Sequence, residues 1–387
     1  MQKQVAAGLA GIAIGLSVSL FARAETGVSP NEIRLGQSAA FDGPAAALGL
    51  GMREGILAAF NEANAAGGVG GRKLVLVSLD DGYEPEKAIR NTQRLIKKDK
   101  VFALIGEVGT PTSKAAQPIA SSAGVPFIGP FTGAEFLRHP YKPTVINVRA
   151  SYFQETEAMV ERLTTDLGIS RVAILYQDDS YGRAGLAGVQ RALAKRRMKL
   201  VSEGTYKRNT TAVKTAVLSI RKGKPAAVIM IGAYRPCAEF IKIARQIGMN
   251  PLFLNVSFVG SKALARELGS AGAGVVVTQV VPFPEDTSVA LVERYRKALK
   301  ALNPQAEPGF VSLEGYMAGL LTVQAIDKMG PKVTRKRLLA TFAEVGTFDL
   351  GGVTLTYGRD DNQGMDQVFF TVIQADGSFR AVKNLGD

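Results

Sequence analysis

Val101-Phe102-Ala103-Leu104-Ile105-Gly106-Glu107-Val108-Gly109-Thr110-Pro111-Thr112-Ser113 reads as a buried strand that turns through a loop into a helix. The first five residues are apolar throughout, as expected of a parallel strand covered on both faces. Thr110 is placed to cap a helix that Pro111 begins. The first-turn amides of such a helix have no partner within it and face the crevice beyond the strand ends, an arrangement that suits a carboxylate. Every helix start carries such amides, so this loop taken alone fits self-capping as well as it fits a ligand contact.

The same unit recurs on both sides. Apolar or β-branched runs at 33–37, 73–79, 125–128, 171–176, 226–231, 252–256 and 274–279 alternate with helical patterns. Met52, Ile56, Phe60 and Ala63 recur at helical spacing and stop at Gly67-Gly68, and Pro85 opens the next helix. Further helices are expected over 154–167, 183–197, 211–222, 234–247 and 284–302. This alternation implies βαβ units and doubly wound parallel sheets. The series restarts near 149–154, after Pro140 and Pro143, which predicts two α/β lobes.

Composition agrees with that organisation. The 387 residues are 46% hydrophobic and 21% charged, enough apolar mass for about two ordered domains. One cysteine, Cys237, excludes an internal disulfide, and one histidine, His139, lies in a loop between Arg138 and Pro140. The net charge of +13 concentrates at Arg191, Lys195, Arg196, Arg197 and Lys199, which read as the solvated last turn of a helix. With no aromatic-rich basic strand or recognition helix beside it, this cluster does not imply nucleic acid. At the amino end, Lys3, an uncharged run over 5–21 and Ala22-Arg23-Ala24 form a secretory signal pattern. Residues 1–24 are therefore expected to be a signal peptide, cleaved on export to the periplasm.

Other strand-end loops match the first. They are Gly129-Pro130-Phe131-Thr132-Gly133, Asp178-Asp179-Ser180-Tyr181-Gly182, Gly232-Ala233-Tyr234-Arg235-Pro236 and Ser257-Phe258. In doubly wound sheets such loops surround the ligand.

The chain resembles the type I periplasmic substrate-binding proteins of ABC transporters, specifically the branched-chain amino-acid (Leu/Ile/Val)-binding family. The marks run in order along nearly all of the mature chain. They are Ile33-Arg34-Leu35-Gly36 with Gly43-Pro44, the stretch from Asn64 through Gly67-Gly68-Val69-Gly70-Gly71 to Leu74, Asp80-Asp81, Ile105-Gly106, Pro126-Phe127-Ile128-Gly129-Pro130 and Gln177-Asp178-Asp179-Ser180-Tyr181-Gly182. The resemblance implies two lobes joined by three crossover segments, near 148–151, 280–283 and 354–358. It divides the chain into an N-terminal lobe, 25–148 plus 284–354, and a C-terminal lobe, 149–283 plus 355–387. It implies a monomer that captures a small ligand between its lobes and delivers it to the membrane permease subunits of an ABC importer, with no cofactor or metal.

The resemblance also assigns roles. Thr110, beside Val108 and Gly109, stands where a hydroxyl binds the ligand carboxylate, and Phe131 where a backbone carbonyl meets the ligand ammonium. Tyr181 matches a tyrosine that closes over the ligand, Tyr234 or Arg235 another contact, and Phe310 an apolar one. Gly133 stands where a threonine usually assists, leaving Thr132 to replace it. Ser257 stands where amino-acid binders carry a glutamate that pairs with the ammonium. Tyr83 and Gly109 occupy the positions of the family's disulfide.

These departures, with Phe41, Phe131, Tyr152, Tyr181 and Tyr234 in loops near the cleft, predict an apolar or aromatic carboxylate without an α-ammonium. The counter-expectation is that Glu107, Asp178 or Asp179 replaces the missing glutamate and the ligand is a branched-chain amino acid. A sensing subunit of a signalling receptor would share the same fold and cleft. Enzymatic readings find little support: there is no Gly-x-Ser-x-Gly turn. Single histidine and cysteine residues exclude zinc sites built on them. Gly68-Val69-Gly70-Gly71 lies between helix and strand, the reverse of a dinucleotide loop.

Overall fold

The computed structural model describes residues 25–386, so the expected signal peptide lies outside the described residues. Five parallel strands form the first sheet: β1 (Glu32–Ala39), β2 (Lys73–Asp80), β3 (Ala103–Ile105), β4 (Phe127–Ile128) and β5 (Val145–Ile146). Their order is β2-β1-β3-β4-β5, with α1 (Ala46–Ala65), α2 (Pro85–Lys97) and α3 (Thr110–Ser122) as crossovers.

The chain then enters α4 (Tyr152–Thr165) and a second series. This comprises β6 (Val172–Gln177), α5 (Ser180–Lys195), β7 (Ser202–Tyr206), α6 (Lys214–Lys222), β8 (Ala227–Ile231), α7 (Tyr234–Gln246), β9 (Leu252–Asn255), α8 (Ser261–Leu268) and β10 (Val276–Gln279). It returns to the first sheet's side as α9 (Ala290–Leu302), α10 (Phe310–Lys328) and α11 (Arg335–Val345). The two-stranded ribbon β11 (Thr347–Asp349) and β12 (Thr354–Thr356) packs there through Phe348 and Leu355. Finally β13 (Phe369–Ile373) and β14 (Phe379–Val382) add antiparallel to β10, completing the order β14-β13-β10-β9-β8-β6-β7. The fold is thus the expected α/β pair of largely parallel, doubly wound sheets.

The elements absent from the sequence reading have physical reasons. Helix α10 is buried over most of its length, so it shows no polar face and no periodicity. It meets α1 almost backbone to backbone: a Cβ on Gly55 would fall 1.9 Å from the Ser312 carbonyl oxygen, and one on Gly315 2.3 Å from that of Met52. Strand β7 is a sheet edge whose sequence SEGTY alternates exposed and buried residues, without the apolar run of a central strand. Residues 284–289 form turns, and α9 begins only at Ala290, where the apolar side chains Leu291 and Val292 start to bury.

Candidate ligand-binding site

The loops after the strands of both sheets meet in one crevice. Val108 bridges Phe131, and Gly109 holds φ 105° as the residue before α3. Only glycine fits there, because a Cβ would lie 2.2 Å from Cε2 of Tyr83; the two positions read as disulfide partners in the resemblance are neighbours, with a ring filling the space. Thr110 begins α3 instead of capping it, and no side chain caps that helix. Its hydroxyl lies 2.6 Å from that of Thr132, which also donates to Oη of Tyr152 at 3.3 Å. Gly133 has no room for a threonine side chain: a Cβ would fall 2.6 Å from the Tyr152 amide. Three hydroxyls thus gather at the amino end of α3. All three residues are buried.

The centre of the crevice is aromatic. Phe258, on the 3-10 turn Ser257–Val259 of the second lobe, is fully buried against rings from both lobes. Its centroid lies 4.6 Å from Tyr181, 5.3 Å from Phe131 and 5.9 Å from Tyr83, and Tyr152 stands 5.5 Å from Tyr181. Asp179 caps α5 by accepting from the Tyr181 amide, which fixes where that tyrosine enters the crevice. Gln177 Nε2 of the second lobe donates to Tyr83 Oη at 3.3 Å.

Beside these rings lies a buried charge network. Arg149, fully buried, places its guanidinium 5.1 Å from the Phe131 centroid and 5.9 Å from that of Tyr152. Its Nη2 donates to Oε1 of Glu155 at 3.0 Å and also contacts Oγ of Ser257, while Nη1 lies 3.6 Å from Oε2 of Glu314. Glu155 Oε1 also accepts from the Ser257 hydroxyl at 3.0 Å, and Oε2 accepts from the Ser257 amide at 2.8 Å and Thr278 Oγ1 at 2.5 Å. A carboxylate has about four lone-pair sites, and here four donors fill them. Burial lowers the basicity of Arg149, but Glu314 and Glu155 more than offset this and keep it charged. Burial pushes Glu314 up to about 7 against the pull of Arg149.

Of the three acids expected to replace a glutamate at position 257, two are engaged by partners of their own. Asp178 pairs with Arg183 at the surface, and Asp179 is taken by Tyr181, Gln177 and Arg208. Glu107 is buried with neither oxygen hydrogen-bonded, and burial together with the charge of Asp81 raises its pKa well above the usual range. Arg149, Glu155 and Glu314 escaped assignment from the sequence, while Tyr83 was placed only at a disulfide position of the resemblance and Phe258 only in a strand-end loop. Conversely, Tyr234 lies at the rim, accepting from the Ala47 amide at 3.4 Å, and Phe41 sits under Arg53. Phe310 packs on Phe283 and Phe379, away from the central rings.

A periplasmic binding protein family model matches residues 32–378. The chain belongs to that family. Among its relatives is the Leu/Ile/Val-binding protein homolog 7 of Brucella abortus, 25% identical over 358 residues, 87% of this chain and 88% of that one. A possible leucine/isoleucine/valine-binding protein from Rhodopirellula baltica has a solved structure that superposes with a TM-score of 0.88 at 42% identity, covering 91% of this chain and 96% of that one. An ABC-transporter solute-binding protein from R. palustris, solved with benzoate, shares the fold at a TM-score of 0.80 and 21% identity, covering 91% and 96%. As a type I periplasmic binding protein, the chain has the fold of solute-binding proteins and not of enzymes.

Proposed function

We propose that this periplasmic binding protein captures a small carboxylate with an apolar or aromatic body and no α-ammonium, between lobes divided as in the sequence reading, and hands it to the permease of an ABC importer. The observation that carries this reading is the saturated Glu155. Among the described residues, the one carboxylate bonded to Ser257 has all its acceptor sites taken by Arg149, Ser257 and Thr278. A ligand ammonium arriving there would meet a guanidinium. The acid end would meet the hydroxyls of Thr110 and Thr132 and the first-turn amides of α3, whose dipole favours an anion. Tyr83, Phe131, Tyr152, Tyr181 and Phe258 offer the body an aromatic surround.

The names of the Brucella and Rhodopirellula relatives favour a second reading, a branched-chain amino-acid binder. Calorimetry of the exported chain against leucine, isoleucine, valine, their deaminated acids and aromatic acids separates the two. The proposal expects the acids to bind and the amino acids to bind at least about tenfold more weakly, the worth of one unmatched charge contact. Micromolar leucine binding with none of its deaminated analogue contradicts it.

A further inference from the structure

We propose that Arg149 is the specificity-determining residue of the cleft, donating from Nε to an oxygen that the ligand carries next to its carboxylate. The inference rests on the carboxylate reading above and goes beyond it by naming the second polar group of the ligand. Arg149 is fully buried, yet Nε has no hydrogen-bond partner, and Nη1 has only the 3.6 Å approach of Glu314. A buried charged donor left unpaired is costly, so a ligand acceptor that reaches it gains more than an ordinary surface hydrogen bond. The geometry fits such an acceptor. The guanidinium flanks the rings of Phe131 and Tyr152, and the Thr110–Thr132 hydroxyl pair meets Tyr152 at its Oη. A carboxylate held by those hydroxyls therefore presents its neighbouring atoms toward Arg149. An oxo or hydroxyl oxygen there completes the guanidinium, a hydrogen leaves it unpaired, and an ammonium is repelled.

Three compounds on one skeleton test this: 4-methyl-2-oxopentanoate, 4-methylpentanoate and leucine, with phenylpyruvate, 3-phenylpropanoate and phenylalanine as the aromatic series. For the wild-type chain, calorimetry should give the oxo acid about ten- to a hundredfold tighter binding than the deoxy acid, with the amino acid weakest. Arg149→Lys keeps the charge but loses the Nε donor, and should bring the oxo-to-deoxy ratio near one. A role for Arg149 confined to holding Glu155 and Glu314 would weaken all three ligands together and leave that ratio unchanged. Equal wild-type affinity for oxo and deoxy acids, or an unaltered ratio in Arg149→Lys, overturns the inference and leaves the carboxylate reading intact. Leucine binding ahead of both acids overturns both. The wild-type ratio decides the matter even where the variant fails to fold.

Discussion

The Thr110 hydroxyl makes a 2.6 Å contact with Thr132 at a helix start that no side chain caps. It contributes little to holding α3 in place and much to the polarity of the crevice. Thr110→Val, nearly isosteric, should therefore weaken binding of an acid ligand by about ten- to a hundredfold, the worth of one hydrogen bond to a charged acceptor. The thermal midpoint should move only slightly. Calorimetry beside a melting curve checks both; unchanged affinity would place the carboxylate elsewhere. Thr110 was legible because strand, turn and proline sit together within a few residues. Arg149 was not. Its contact with Ser257 spans 108 residues, and that between Glu155 and Ser257 spans 102. In sequence Arg149 reads only as a hinge residue and Glu155 only as an acid in the first turn of α4. No local pattern announces an ion network that forms only when four separate segments converge.

At the level of elements, the central strands and their following helices were readable because burial on both faces leaves an apolar run bounded by turns. The elements that were missed break this rule. α10 is apolar all round, β7 is a polar edge, and β13 and β14 join the second sheet antiparallel from the far end of the chain. Segments just after β7 and just before α10 join the two lobes at the crevice rims. At one rim, Arg208 of the second lobe bonds Glu84 of the first at 2.8 Å and Asp179 of its own lobe at 2.9 Å, while Asn209 reaches Glu84 at 2.7 Å and the Gly82 carbonyl at 3.0 Å. At the other, Lys262 and Arg266 of α8 each approach Glu307 within 2.6 Å. Glu307 is largely exposed, so the second latch contributes little, whereas Arg208 is mostly covered. Arg208→Ala should weaken ligand affinity about fivefold, since a latch made only on closure adds its roughly 1 kcal/mol to binding. Small-angle scattering should show wild type and variant contracting to the same radius at saturation. An affinity that does not change would mean that this rim is already joined before the ligand enters.

For the whole molecule, two doubly wound sheets set their strand-end loops face to face, and the rings between them come from both. Tyr83 and Phe131 belong to the first lobe, Tyr181 and Phe258 to the second, so their contacts exist only when the lobes are together. A ligand that touches both lobes shifts the population toward this closed arrangement. On the proposed reading, the ligand that does so is an acid held by the hydroxyls and amides at the start of α3, with rings around its body and the Arg149 guanidinium excluding an ammonium. The most direct test is mass spectrometry of whatever the protein, purified from its native host, releases on denaturation. An intact small acid lacking an amino group is the expected result. Leucine, isoleucine or valine recovered in stoichiometric amount would contradict it.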